Sequence, residues 1–183
     1  NMVKSFYQAP HASLVTEVDV TDLMQYIQKE KQAFFQKWGA KLTITSFILQ
    51  AIALSIKSYP MVNASVDQDT IIMKRYVNLG VAVSIENGVV VPVIRNCESK
   101  DIPTIAKEVT QLSSKARANQ LTSEDVSDGT ITMTNFGMSG MLMGVPIIRH
   151  PEVAIIGVGS IDDKVSVIDE HTFGVRKKVH LTL

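Results

Sequence analysis

Cysteine, net charge and long apolar runs are all scarce in this chain of 183 residues, and each absence excludes a class of protein. The single cysteine, Cys97, excludes an internal disulfide framework and fits a reducing compartment. Eighteen basic side chains balance eighteen acidic ones, so no charge excess favours nucleic acid or an anionic membrane surface. The most apolar segment, 47–56, is interrupted by Gln50 and is far shorter than the ~20 residues of a membrane span. We expect neither a nucleic-acid nor a membrane partner.

Motifs typical of cofactor and metal enzymes are also missing from the sequence. It contains no glycine-rich dinucleotide loop, no phosphate-binding P-loop and no HExxH zinc motif. No pair of histidines or cysteines has the spacing of metal ligands. The segment around Ser139 lacks the G-x-S-x-G elbow of a hydrolase nucleophile. We therefore expect no resident metal and no serine hydrolase.

The isolated histidines and the cysteine have plain structural interpretations. His11 follows Pro10 and is expected to pack at the start of the first strand. His171 falls in a predicted exposed turn, and His180 in a strand where a structural role is expected. An activated thiolate at Cys97 would need a nearby base, and none is close in sequence, so a buried inert thiol is predicted.

The remaining composition, 45% hydrophobic and 20% charged, is that of a folded globular domain. Core packing is also the expected use of its eight methionines. Apolar periodicity predicts a helix at 21–38, with an N-cap at Thr21-Asp22 and a stop at Gly39, and a second helix from Thr45 to Tyr59 that is apolar on nearly all sides. A third helix is predicted from the cap Asp101 to 116, and a short helical turn within 121–126. Strands are predicted at 13–20, 70–77, 81–85, 89–94, 129–137, 153–161, 165–168 and 175–183, with an Asn87-Gly88 turn joining 81–85 to 89–94. This order predicts an α/β two-layer sandwich with a mixed, mostly antiparallel sheet.

The segment 129–137, GTITMTNFG, is the most informative in the chain. Apolar residues alternate with hydroxyls at 130, 132 and 134, which predicts a strand with one buried face and one polar row. At the end of that strand Thr134 could donate to an oxyanion, while Gly137 would let a substrate approach the backbone. Spacing alone leaves open that Thr134 is an ordinary polar strand residue.

Several stretches of the chain, in order, resemble one known family: the inner catalytic domain of dihydrolipoamide acyltransferase, the E2 component of 2-oxoacid dehydrogenase complexes. The stretch 88–95 is similar to the family's GLVVPVIR strand, 129–137 to its GGTFTISNLG, and 151–157 to its PEVAILG. The other matching stretches are 1–5 with 9–11, 17–21, and 60–65. Because their order and separations agree, the set is far more specific than any single motif.

The resemblance implies a chloramphenicol-acetyltransferase-like fold and a trimer with active sites between subunits. Coenzyme A, as a substrate, would enter from one side, and a lipoyl group carried on a separate domain from the other. A histidine base would deprotonate the attacking thiol, and a hydroxyl would stabilise the tetrahedral oxyanion. Thr134 occupies the position of that hydroxyl, where the family often has serine. The expected residues that bind substrate or coenzyme A are Asn135, Gly137, Ser139 and Gly140.

The resemblance places the histidine base in a His-x-x-x-Asp-Gly motif after the last strand. Residues 178–183 lead toward that motif, but the sequence ends before it, and His180 does not match because no Asp-Gly follows. We therefore expect a single acyltransferase domain over 1–183 that is incomplete at its C-terminus, lacks its catalytic histidine and is inactive alone. Asn1 suggests that the natural start lies upstream.

The expected function is acyl transfer between a dihydrolipoyl thiol and coenzyme A in a 2-oxoacid dehydrogenase complex. The domain would form a homotrimer and a larger oligomeric core, with the E1 and E3 components bound through other domains. Two alternatives stay open: a non-catalytic scaffold subunit, and a related coenzyme A-dependent O-acetyltransferase acting on a small alcohol. The acyl group is open among acetyl, succinyl and branched-chain. No secretory signal is visible, so we expect a cytoplasmic protein, or a matrix protein in a mitochondrion.

Overall fold

A computed structural model describes residues 2–183, in which helices and strands are interspersed along the chain. The helices are α1 (Met2–Gln8), α2 (Thr21–Trp38), α3 (Ile44–Ser55) and α4 (Ile102–Arg117). The strands are β1 (Val15–Asp19), β2 (Ser65–Asp67), β3 (Thr70–Ile72), β4 (Leu79–Val81), β5 (Val83–Ile85), β6 (Gly88–Val90), β7 (Val93–Ile94), β8 (Ile131–Asn135), β9 (Ile155–Asp169) and β10 (Thr172–Thr182). A 3-10 turn at Glu124–Val126 confirms the short helical turn expected within 121–126.

One six-stranded sheet organises the fold, with strand order β1-β10-β9-β8-β4-β7. Strand β8 runs parallel to both of its neighbours, β4 and β9, and the other pairs in this sheet are antiparallel. Two short hairpins, β2-β3 and β5-β6, lie outside it. The mixed, mostly antiparallel α/β sandwich predicted from the sequence is confirmed. No helix between residues 2 and 183 is long and apolar enough to cross a bilayer.

Helices α3 and α4 share one hydrophobic core with the central strands. Leu49 of α3, Ile105 of α4 and Leu79 of β4 are completely buried in this cluster. Burying a side chain of this size stabilises the folded state by about 1.5–3 kcal/mol. The helix that the sequence predicts to be apolar on nearly all sides is only partly covered in the single chain, where Leu54 on its outer face is 50% exposed.

The predicted strand 70–77 is shorter than expected and ends at Ile72. Beyond it the backbone is held by side chains, which replace the neighbouring strand that a longer ladder would need. Asn63 donates to the carbonyl of Tyr76 at 2.8 Å, and Glu98 accepts from the amide of Val77 at 2.9 Å. These partners are distant in sequence, so local periodicity gives no sign of them.

The strands predicted separately at 153–161 and 165–168 are one continuous strand, β9, paired along its length with β10. The intervening polar residues looked like a break in the pattern. In the structure they face basic residues of β10: Asp163 lies opposite Lys177, and its Oδ1 is 2.8 Å from the ammonium. The turn around His171 is confirmed, with that residue exposed.

Two local details differ from the sequence predictions. The Asn87-Gly88 hairpin forms, but Glu86 and Asn87 occupy its centre with negative φ, and only Gly88 has positive φ (139°). The turn type that Asn-Gly favours, because it matches the twist of the two strands, would need positive φ at both central residues. At the start of α2 the cap position is Val20, and Asp19 instead accepts from the amide of Thr21 at 2.9 Å. Asp101 caps α4 as predicted, accepting from the Thr104 amide.

The predicted stop at Gly39 provides a test of the α2 terminus. Gly39 has a left-handed φ of 67°, and a Cβ added there would meet nothing within 4 Å. Gly39→Ala should therefore lower the free energy of unfolding by about 1–2 kcal/mol, through backbone strain alone. Gly39→Asn is the matched control, because asparagine tolerates this conformation. Its free energy of unfolding, measured in urea, should stay close to that of the parent protein. Equal losses in both variants would contradict the strain argument.

Candidate active site

Thr134 lies near the end of β8, half-buried, opposite Gly157 of β9. Within residues 2–183 its hydroxyl has no hydrogen-bond partner, in contrast to Thr132 on the same strand and Thr130 directly before it. Thr130 donates to the carbonyl of Asn78 at 3.2 Å, and Thr132 donates to a buried carboxylate at 2.6 Å. Thr134 is thus the one hydroxyl of this strand that is left to donate to a ligand.

The predicted polar row of β8 is not an exposed face, which corrects the interpretation drawn from alternation. Thr130 and Thr132 are as deeply buried as Ile131 and Met133. The reason is that β8 lies between two parallel neighbours near the middle of the sheet and is covered on both sides. The polar side chains on its second face are therefore internal and must find internal partners.

A tight turn directly follows Thr134 and contains the predicted binding residues. The side chain of Asn135 accepts from the amide of Gly137 at 3.1 Å, and a 3-10 turn spans Gly137–Ser139. Gly140 then takes a left-handed φ of 75°. Asn135 and Gly137 thus lie beside Thr134 and shape the turn, while Ser139 and Gly140 are exposed further along it. Their assignment to substrate binding stays a prediction.

The glycines of this region bring protein backbones together. A Cβ on Gly137 would lie 2.0 Å from the carbonyl oxygen of Gly159, and one on Gly159 would lie 1.9 Å from that of Leu142. The backbone of β9 therefore approaches Gly137 closely, and the predicted approach of a substrate at this residue stays a prediction. The loop is further tied to β9 by the amide of Ser160, which donates to Met141 at 2.9 Å.

The outer surface of the loop is apolar and rich in methionine. Met138 is 89% exposed, and Met141, Leu142, Met143 and Val145 are exposed beside it. Methionine side chains adapt to ligands of different shape because they are flexible and polarisable. The expectation that the methionines serve the core is wrong for this loop. Among the methionines whose burial the structure describes, Met133 alone is fully buried.

A buried carboxylate, Glu152, contacts both β8 and Arg149, and the sequence analysis did not predict these contacts. Glu152 is buried, and its Oε2 accepts from Thr132 at 2.6 Å. Its Oε1 lacks a hydrogen bond among the described residues and lies 3.9 Å from Nη1 of Arg149, whose Nη2 donates to Val126 at 2.5 Å. Burial raises the pKa of Glu152, with Thr132 and Arg149 acting in the opposite direction. A charged residue directly before the apolar run 153–156 was the available signal.

Cys97 and His180 have the structural surroundings predicted for them. In the part of the chain that the structure describes, no three His, Cys, Asp or Glu side chains gather as metal ligands. Cys97 is fully buried, and burial raises its pKa to about 12, so the thiol stays protonated as predicted. His180 faces Glu17 of β1, with Nε2 3.5 Å from Oε2, which fits the structural role expected for it.

Comparison with known proteins decides the family. The chain matches the family model described as 2-oxoacid dehydrogenases acyltransferase (catalytic domain) over residues 1–183. This chain belongs to that family. The resemblance carried by the sequence motifs is thereby confirmed.

Curated relatives from Bacillus subtilis (strain 168) include E2 components of different complexes. The acetyltransferase component of the pyruvate dehydrogenase complex is 38% identical over 92% of this chain and 38% of its own length. The branched-chain alpha-keto acid component is 38% identical over 100% and 43%. The succinyltransferase component of the 2-oxoglutarate complex is 36% identical over 96% and 43%. The chain thus spans about two fifths of the length of these relatives.

Solved structures of the family superpose closely on this chain. A probable dihydrolipoamide acetyltransferase from Listeria monocytogenes gives a TM-score of 0.95 at 35% identity, covering 99% of this chain and 77% of that one. The Azotobacter vinelandii dihydrolipoamide acetyltransferase gives 0.95 at 32% identity, covering 100% and 75%. Chloramphenicol acetyltransferase gives 0.54 at 17% identity over 100% and 85%, which supports the predicted fold type alone.

The hydrogen bond between Thr132 and Glu152 gives a test with a defined pH dependence. Thr132→Val would leave a buried carboxyl without its donor and should lower the free energy of unfolding by about 1–3 kcal/mol. Thr132→Ser keeps the hydroxyl and is the matched control. Chemical denaturation at neutral pH measures both variants, and equal losses would contradict the role given to the hydroxyl.

The same variant should change how stability depends on pH. Because the pKa of Glu152 is raised, the folded state holds this proton where the unfolded chain has lost it. The free energy of unfolding therefore falls as pH rises from the unfolded pKa to the raised folded one. Thr132→Val removes an interaction that lowers this pKa, so the falling region should extend to higher pH. Parallel pH profiles for the variant and the parent protein would contradict this expectation.

Proposed function

We propose that this domain transfers an acyl group between the thiol of a dihydrolipoyl group and coenzyme A in a 2-oxoacid dehydrogenase complex. The observation that supports this most directly is the unengaged hydroxyl of Thr134, which stands at the end of β8 beside an exposed apolar loop. Relatives whose names include lipoamide acyltransferase and dihydrolipoyllysine acetyltransferase support the same reaction class.

The proposed reaction exchanges one thioester for another. The attacking thiol loses its proton to a base, and its sulfur forms a bond to the thioester carbonyl carbon. Thr134 donates a hydrogen bond to the oxyanion of the tetrahedral intermediate, where negative charge has developed. The intermediate then collapses, its original carbon–sulfur bond breaks, and the base returns the proton to the departing thiolate.

The base in this proposal is a histidine of the His-x-x-x-Asp-Gly motif, which residues 1–183 do not contain. The related Azotobacter enzyme supports such a set of groups, because its structure was solved to examine a serine, a histidine and an asparagine in the catalytic mechanism. Thr134 aligns with the serine of the family motif, and both side chains supply a hydroxyl donor.

The acyl group stays open in this proposal. Relatives that handle acetyl, branched-chain and succinyl groups are 36–38% identical to this chain, so none is favoured over the others. The E1 and E3 components of the complex are proposed as partners through domains other than this one.

We also propose that the domain assembles into a homotrimer and a larger core. Residues 164–176 form the outer part of the β9-β10 hairpin, which we call the arm. One face of the arm presents cross-strand pairs of exposed apolar residues, Val165 with Val175 and Val167 with Phe173. Contiguous exposed apolar patches favour protein interfaces. A related structure described as the cubic core of the pyruvate dehydrogenase multienzyme complex, with a TM-score of 0.94, supports a role in core assembly.

The role of Thr134 is tested by acyl transfer from acetyl coenzyme A to dihydrolipoamide. The assay uses the full-length protein, because residues 1–183 do not contain the histidine motif of this proposal. Thr134→Val removes the donor at similar volume and should lower kcat about 10²–10³-fold. KM should change little, because the hydrogen bond forms to the transition state. Thr134→Ser, which keeps the hydroxyl, is the matched control and should retain most of the activity.

Three other outcomes would overturn the proposal. Full kcat in Thr134→Val would remove Thr134 from the mechanism. Acetylation of small alcohols without transfer to dihydrolipoamide would favour the O-acetyltransferase alternative. An assembled parent protein with no transfer activity would favour the scaffold.

The arm is tested by Phe173→Glu, which places a charge at the centre of the apolar face. Phe173 is 73% exposed in the single chain, so folding should be unaffected while the assembly dissociates to smaller species. Light scattering measures the mass, and circular dichroism checks the fold. Glu170→Ala in the exposed turn of the same arm is the control. An unchanged mass for Phe173→Glu would exclude this face from the interface.

A further inference from the structure

His11 forms a backbone clamp on the far end of the loop that follows Thr134. Its Nε2 accepts a hydrogen bond from the amide of Ile148 at 2.9 Å, and its Nδ1 lies 2.6 Å from the carbonyl of Ala9. Ser5 of α1 donates to the carbonyl of the same Ile148 at 2.5 Å. Both polar groups of one loop residue are therefore held by the N-terminal segment.

The geometry determines which form of the imidazole can make this clamp. An amide N–H needs an acceptor, so Nε2 must be unprotonated, and the ring hydrogen must be on Nδ1, where it donates to Ala9. The two nitrogens thus have separate tasks. One fixes the ring to its own segment, and the other fixes the loop.

A packed path leads from this clamp to Thr134. His11, Pro146 and Ile148 line the same apolar cavity of about 230 Å³. Pro146 and the ring of Phe136 lie over Gly157, where an added Cβ would be 3.5 Å from Pro146 Cδ and 2.9 Å from Phe136 Cε1. Gly157 is the residue paired with Thr134 across the two strands. A shift of the loop at 146–148 therefore changes the packing on the residue beside the candidate donor.

We propose that His11 is a positioning residue for the acyl-transfer site, acting through Ile148 and the loop on the packing around Thr134. This inference rests on the proposed function for its effect on catalysis, but the clamp itself does not. His11 acts as a neutral hydrogen-bonding element and takes no part in proton transfer. Small displacements of a reacting group cost up to about 100-fold in rate, which is the scale of effect that such a clamp can control.

Two near-isosteric substitutions separate the tasks of the ring nitrogens. Glutamine can present its carbonyl oxygen where Nε2 lies, so His11→Gln keeps the acceptor for Ile148. Asparagine can present its amide nitrogen where Nδ1 lies, so His11→Asn keeps only the donor to Ala9. His11→Ala removes both, and His171→Gln at an exposed turn position is the matched control. All are compared in the intact protein, with circular dichroism as the check of folding.

The first measurement is hydrogen–deuterium exchange of peptides covering 141–149, which reads the clamp without any assay of activity. We expect about tenfold faster exchange at Ile148 in His11→Ala and His11→Asn, because its amide loses its acceptor. Exchange should stay near the parent rate in His11→Gln and His171→Gln. Unchanged exchange in His11→Ala would overturn the proposal.

The second measurement is acetyl transfer to dihydrolipoamide, resolved into kcat and KM. We expect kcat to fall about 10- to 100-fold in His11→Ala and His11→Asn, with rescue in His11→Gln and little change in KM. Faster exchange with unchanged kcat would overturn the positioning role. If Thr134→Val retains full activity while exchange still responds to His11, the proposed role of Thr134 fails and the clamp stands.

Discussion

The parallel pairing of β8 with both β4 and β9 is the constraint on which the candidate site depends. The chain is covered on both faces from Thr130 to Met133, so the polar side chains in that stretch need internal partners. Thr130 is paired with Asn78 and Thr132 with Glu152. A Cβ on Gly80 would lie only 2.7 Å from the Thr132 hydroxyl, so this glycine makes room for the buried pair. Thr134 is only half-buried, and its hydroxyl is not paired within the described residues.

The loop after β8 has two kinds of attachment. At its near end, glycines at 137 and 159 allow backbone to lie directly on backbone. At its far end, the carbonyl of Ile148 accepts a hydrogen bond from Ser5 and its amide donates one to His11. Between these points the loop exposes methionine and other apolar side chains. The arrangement combines fixed attachment points with an adaptable apolar surface between them.

Sequence predicted the features that depend on short-range chemistry. The left-handed stop at Gly39, the cap at Asp101 and the chemically inert Cys97 follow from local residue types. The family followed from motifs in a fixed order, and the placement of Thr134 at a strand end followed from one of them.

The features that sequence did not predict depend on distant partners. The backbone after the early end of the strand at Ile72 is bound by Asn63 and Glu98, and the polar residues within β9 face basic residues of β10 across the hairpin. Glu152 could be noticed only as a charge before an apolar run, because its partner Thr132 lies on β8, 20 positions earlier in the chain. His11 had the appearance of a packing residue, and its contact with Ile148 spans 137 positions. Periodicity reports the burial of a residue far better than the identity of its partner.

The choice of threonine at 134 has a consequence for the entropy of the site. A β-branched side chain has few χ1 rotamers, and in a strand its methyl group and hydroxyl are restricted together. The direction of the hydroxyl is then set largely by the backbone of β8, before any ligand arrives. A serine in the same place would lose more rotational freedom on forming the same hydrogen bond. The added methyl group therefore acts as a conformational restraint on the donor.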